Sequence, residues 1–166
     1  MRIVILPIIS FIVLFFVITG ISLFIPSHIR ISKAININAD RKTVMKQIRD
    51  VTKWKNWYPG ADSLQVFFSG GKAKGLMRDS LYVFAKLTDA NDSSVIATTT
   101  GRSLKGIVIG WHCIPGRSVY DVTIQWYMDF HLRWYPWEKF RSLTFEKTYG
   151  LQMEKGLTNL KALVEK

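Results

Sequence analysis

Asp129, His131 and Arg133 stand at alternate positions in one stretch of the chain. An acid, an imidazole and a guanidinium sharing a face could carry general acid–base chemistry. The same alternation sets all three opposite the apolar residues between them, so a solvated surface is the reading their spacing favours. His112 adjoins Cys113, and a thiol beside an imidazole is what nucleophilic catalysis uses. Neighbours in a strand point to opposite faces, however, and Cys113 then reads as a buried structural thiol. With three histidines at no ligand spacing and one cysteine, neither a metal site nor an intramolecular disulfide is expected. Gly70-Gly71-Lys72-Ala73-Lys74-Gly75 lacks the Gly-Lys-Ser/Thr ending of a phosphate loop and reads as a basic hairpin. The sequence therefore offers no catalytic residue, no metal ligand and no cofactor signature.

Aromatic side chains are the stronger signal. Tyr120, Val122, Ile124, Trp126, Met128, Phe130, Leu132 and Trp134 alternate with mostly polar residues, which predicts a long strand with one apolar face. Met153, Leu157, Leu160 and Val164 fall at helical spacing, and Phe145 and Tyr149 extend that stripe backwards in steps of four. Laid against the strand, this helix would enclose a space walled by Tyr120, Trp126, Met128, Phe130 and Trp134 on one side and by Met153 and Leu157 on the other. Trp111 and Tyr82 are further candidate wall residues. Such a space suits a small apolar ligand, while ordinary core packing is the bland alternative.

The remaining elements read as follows. Ile29, Ile31, Ile35 and Ile37 alternate with polar residues and predict an opening strand, with Asp40 as the N-cap of a short helix carrying Val44, Ile48 and Val51. Trp54-Lys55-Asn56-Trp57-Tyr58-Pro59-Gly60 is an aromatic knot closed by a breaker. Strands are expected over 64–69, 76–87, 94–100 and 107–114, with Gly70-Gly71 forming a hairpin turn. Gly150 and Gly156, each unfavourable in a helix by about 1 kcal/mol relative to alanine, are expected to permit close packing.

Before all this runs an apolar stretch, Ile3 to Ile25, with no charged residue. As a helix it would be about 34 Å long, enough to cross a hydrocarbon layer of roughly 30 Å. It is longer than the core of a secretory signal, and bulky Leu23, Phe24 and Ile25 continue past the small residues Gly20 and Ser22. Residues 1–26 are therefore expected to be one transmembrane anchor and residues 27–166 a single α+β domain. Of 23 basic residues all but Arg2 follow the anchor, as do all 12 acidic ones. Basic charge just past the span favours a cytoplasmic domain, at a bacterial inner membrane, facing anionic lipid. No RNP-like, KH or helix-turn-helix signature accompanies the charge, and nucleic acid is not expected as a partner.

The order strand, short helices with a Trp-rich knot, meander and long terminal helix resembles the START-like helix-grip superfamily. Within it the chain is most similar to bacterial polyketide cyclase/dehydrase-type proteins of the SRPBCC group. The resemblance is carried by Ile29–Asn38 with Lys33, by Trp54, Trp57 and Pro59 in a W-x-x-W-x-P pattern, and by Gly156-Leu157 with Leu160-Lys161. Residues 101–137 depart from it in their density of Trp and Tyr. The resemblance implies a curved antiparallel sheet, two short helices and a long C-terminal helix over a ligand cavity. It leaves open a binding domain, a cyclase/dehydrase-type enzyme or a ligand-free interaction module.

Overall fold

A computed structural model describes the backbone of residues 2–79, 82–100, 105–118 and 120–166, with the side chains of residues 2–6, 79, 82, 83, 100 and 105 left aside. Helix α1 (Arg2–Leu23) leads into strand β1 (His28–Ile37) and helix α2 (Arg41–Arg49). Two 3-10 turns, Val51–Asn56 and Ala61–Ser63, come next. Strands β2 (Gln65–Ser69), β3 (Lys72–Asp79), β4 (Tyr82–Ala90), β5 (Ser94–Thr100), β6 (Lys105–Pro115) and β7 (Val122–His131) complete the sheet. Helix α3 (Pro136–Ser142), a π turn at Glu146–Gly150 and helix α4 (Leu151–Val164) close the chain.

The seven strands are antiparallel in the order β1-β7-β6-β5-β4-β3-β2, so the first strand closes onto the last rather than onto its sequence neighbour. Period-2 patterning decides which face is inward. Val122, Ile124, Trp126, Met128 and Phe130 of β7 are buried on the side facing α4, as are Ile107, Ile109, Trp111 and Cys113 of β6. Asp40 caps α2 by accepting from the Lys42 amide at 3.1 Å, and Val44 and Ile48 turn inward from that helix. Gly70 and Gly71, both at positive φ (62° and 75°), make the β2–β3 turn that their pairing predicted.

Three expectations are corrected. The alternating run of residues 120–134 is strand only over Val122–His131. A ladder extends only as far as its neighbour: His28, first in β1, pairs with His131. At the other end, a turn closed by Gly116 N–H donating to Asp121 C=O takes up Tyr120. Tyr120 and Trp134 are thus 70% and 60% exposed and wall no interior space. The run 76–87 is not one strand but parts of β3 and β4, paired with Leu76 opposite Ala85; residues 80–81 between them lie outside the described residues. Finally, α3 was not anticipated: Pro136 at its first turn starts a helix where the apolar alternation masks the change of period.

Side chains of α1 are described from Pro7 on, and they are mostly exposed, Phe11 by 72% and Phe16 by 68%. Among the described residues no helix is long and apolar enough to cross a membrane. The C-terminal end of α1 packs on α3, where the buried Lys139 ammonium donates to the Ile25 carbonyl at 2.5 Å and to Ser27 Oγ at 2.8 Å.

Candidate functional site: the aromatic interior beneath the C-terminal helix

Six of the nine proposed wall residues come together. Trp111, Trp126, Met128, Phe130, Met153 and Leu157 are all buried between the sheet and α4. Trp111 and Trp126 are cross-strand partners in the β6–β7 ladder, which holds their rings at 5.4 Å. Tyr120 and Trp134 lie outside, and the side chain of Tyr82 lies outside the described residues.

The aromatic knot is not among the expected wall residues, yet it reaches them. Trp54, Trp57 and Tyr58 of the aromatic knot turn into the same interior. Trp54 lies 5.1 Å from Trp111, Tyr58 5.1 Å and Trp57 6.0 Å from Trp126, measured between ring centres. Trp54 and Tyr58 stack nearly parallel, at 12°, where the Tyr58 N–H closes the chain past the 3-10 turn by donating to the Trp54 carbonyl at 2.7 Å. The W-x-x-W-x-P spacing was the available signal. A second group, Phe130, Phe145 and Tyr149, meets at 4.7–5.4 Å nearer the start of the terminal helix. Ring pairs at such offsets and tilts each contribute about 0.5–1.5 kcal/mol beyond their burial.

The polar atoms among these rings divide into two kinds. Trp54 Nε1 donates to the Ile48 carbonyl at 2.7 Å, and Trp57 Nε1 to that of Gln47 at 3.4 Å. The indole N–H groups of Trp111 and Trp126, in contrast, have no hydrogen-bond acceptor among the described residues, although both side chains are buried. An unpaired buried donor costs about 1–3 kcal/mol, so each of the two calls for an acceptor. Burial pushes the Tyr58 hydroxyl and the Cys113 thiol up, and holds the Tyr149 hydroxyl above its ordinary range too. All three are neutral near pH 7.

Gly156 explains how α4 comes so close. A Cβ there would lie 2.6 Å from Trp126 Cζ3 and 2.9 Å from Pro59 Cδ, so the helix backbone rests directly on the indole and the proline ring. At the β1 edge Lys33 bridges strand to helix, its ammonium 2.7 Å from Glu146 and 2.9 Å from Glu154. Asn159 adds a bond to the Trp57 carbonyl at 3.3 Å.

Of the acid–base trio, Asp129 and His131 sit on the opposite face of β7, and Arg133 lies past its end. Asp129 is buried there because Arg30 forks onto both its oxygens at 2.6 and 2.7 Å, while the Arg30 guanidinium lies 4.5 Å over the Tyr127 ring. His28 and His131 stack at 4.6 Å beside it. Hydrogen bonds from Arg30, helped by its charge and by His28 and His131, hold the Asp129 carboxyl below the usual carboxylate range despite its burial. A depressed carboxyl adds stability that is full above its unfolded value of about 3.9 and is lost as pH falls through the lower folded value. Asp129→Asn should therefore cost about 1 kcal/mol at neutral pH, a figure discounted because Arg30 is half exposed. In urea titrations at several pH values the gap between variant and parent should shrink well below pH ~4; a gap constant down to the acid limit would refute the ion pair's role. Arg133 is exposed and takes no part in this pair. Among the described residues no group of three or more His, Cys, Asp or Glu side chains is placed to hold a metal ion.

A groove of about 480 Å³ lies elsewhere, between α2 and the β4–β5 turn. Arg41, Lys42, Lys46 and Arg49 line it with Met45, Asp50 and Asp92, mostly charged residues where the interior has rings. Its two arginines bond to the turn: Arg41 to the Asp92 carbonyl, and Arg49 to the Asn91 carbonyl and the Asp92 carboxylate.

Comparison with known proteins agrees with this architecture. Residues 28–165 match the family described as polyketide cyclase / dehydrase and lipid transport. Among solved structures, a protein from Nitrosospira multiformis is similar at a TM-score of 0.64 and 14% identity, covering 82% of this chain and 96% of that one. A START superfamily protein from Mycobacterium smegmatis gives 0.59 at 14% identity, covering 82% and 97%. The di-domain ARO/CYC StfQ from the steffimycin biosynthetic pathway gives 0.60 at 8% identity, covering 83% of this chain and 51% of its own. At these identities the likeness is one of fold. No curated protein matches the chain. The seven-stranded antiparallel sheet gripped by a C-terminal helix, with the family match across nearly all of it, makes this chain a START-like helix-grip domain of the SRPBCC superfamily, and it belongs to the polyketide cyclase / dehydrase and lipid transport family.

Proposed function

We propose that this chain is a membrane-anchored binding domain for a small, mainly apolar molecule that carries a hydrogen-bond acceptor. The observation that carries the reading is the pair of buried, unpartnered N–H groups on Trp111 and Trp126. Flat aromatic walls favour a ligand with an apolar body, and the two unpaired donors favour a carbonyl, carboxylate or ether oxygen on it. Binding rather than acid–base catalysis is supported by the position of Asp129 and His131 on the sheet face away from the rings.

Trp111 and Trp126 are 0% and 1% exposed, which leaves no water-sized space against either ring. The interior is therefore closed, and on this reading a ligand enters when α4 and the Trp54–Tyr58 segment part from the sheet. The ring contacts also favour a second reading, an interaction module filled by its own side chains. The anchor rests on the sequence: 23 uncharged positions from Ile3 to Ile25, followed by basic residues that favour a cytoplasmic domain.

Mass spectrometry of small molecules extracted from the detergent-purified full chain, with uptake of a fluorescent fatty acid, tests the proposal. Trp111→Phe and Trp126→Phe keep a ring and remove the N–H, and each is expected to weaken uptake up to about tenfold. Nothing extracted and no uptake by the parent would leave the filled module standing instead.

A further inference from the structure

We propose that α3 and the segment leading into it form a seat in the headgroup region of a lipid bilayer, beside the point where α1 ends. This rests on the anchor reading above. Trp134, Trp137 and Leu143 are 60%, 63% and 67% exposed, and Phe140 is 37% exposed. Four large apolar side chains within ten residues are an apolar surface that water does not favour. They are also pre-arranged: Tyr135 stacks on Trp137 at 4.8 Å and 8°, and lies 4.9 Å from Trp134. Tryptophan and tyrosine concentrate where hydrocarbon meets headgroups, since each ring has an apolar body and a polar edge.

The position of this patch decides for lipid over another occupant. Helix α3 packs on the end of α1, and the buried Lys139 ties α3 to the Ile25 carbonyl and Ser27. The exposed rings therefore keep a fixed place relative to the end of α1, and Phe24, just past that end, is itself 91% exposed. Arg133 precedes the rings as an exposed cation, which complements an anionic leaflet. Seated this way, the patch would hold the domain against the bilayer rather than let it swing on its anchor.

The full chain reconstituted into phosphatidylcholine–phosphatidylglycerol vesicles, with lipids brominated high or deep in the acyl chain, tests this. The chain has six tryptophans, of which Trp54, Trp57, Trp111 and Trp126 are buried and shielded from lipid. Shallow bromine should quench the parent strongly, deep bromine weakly, and W134F/W137F should lose most of the quenching while still floating with the vesicles. Equal quenching in parent and double variant, or none in a chain that floats, overturns the seat but leaves the anchor. Failure to float overturns both. Self-association in detergent that W134A/W137A abolishes, without lipid quenching in the parent, overturns the seat in favour of a second copy of the chain.

Discussion

Trp126→Ala is expected to lower the free energy of unfolding by about 3–5 kcal/mol. Trp126 is 1% exposed, its ring stands between those of Trp57, Tyr58 and Trp111, and α4 rests on its edge. Truncation removes that burial and opens a void at the junction of sheet, helix and aromatic knot. A typical domain has only about 5–15 kcal/mol in total, so the variant should be close to unfolding at ordinary temperature. Urea titration followed by circular dichroism would show a lower midpoint with little change of slope. Phenylalanine at the same position should cost less, because the indole N–H it removes has no acceptor among the described residues to lose. Trp54→Phe forfeits the bond to the Ile48 carbonyl and should exceed the Trp126→Phe loss by about 1 kcal/mol. Indistinguishable losses for the two phenylalanine variants would contradict the difference in their hydrogen bonding.

Gly156→Ala should show the second large effect, in a direction opposite to helix propensity. Alanine normally improves an interior helical position by about 1 kcal/mol over glycine. Here the added carbon would meet Trp126 Cζ3 at 2.6 Å and Pro59 Cδ at 2.9 Å, so α4 must retreat or the rings must shift. A net loss of about 1–3 kcal/mol is expected from such overpacking. In a Trp126→Ala background the first clash is gone, and the cost of Gly156→Ala should fall or change sign. A double-mutant cycle over the two positions should yield a coupling of about 0.5–3 kcal/mol. Additive effects would place the helix farther from the sheet than described. By easing α4 away, Gly156→Ala should also alter the uptake of a fluorescent fatty acid, which ties stability to the proposed entry route.

Much of the fold was legible because its elements bury one face each. The alternation from Val122 to Phe130 and the stripe from Phe145 to Leu160 name the two surfaces that meet, since period 2 and steps of three and four residues admit one inward face apiece. Asp40 and the Gly70-Gly71 pair were readable for local reasons, a side-chain cap and a positive φ. Where the pattern ran past its element it misled: Tyr120 and Trp134 keep the alternation but lack a ladder partner, and nothing local marks that loss.

Residue spacing alone shows that an aromatic strand and a glycine-bearing helix face each other, because side-chain periodicity is a property of the backbone. What lies between them is set by non-local packing. It brought Trp54, Trp57 and Tyr58 onto Trp111 and Trp126 from about fifty or more residues away, paired β1 with β7, and buried two indole N–H groups without an acceptor among the described residues. Ring-to-ring contact and hydrogen-bond satisfaction depend on distances across non-local packing, and no periodicity along one chain encodes a distance between separate elements.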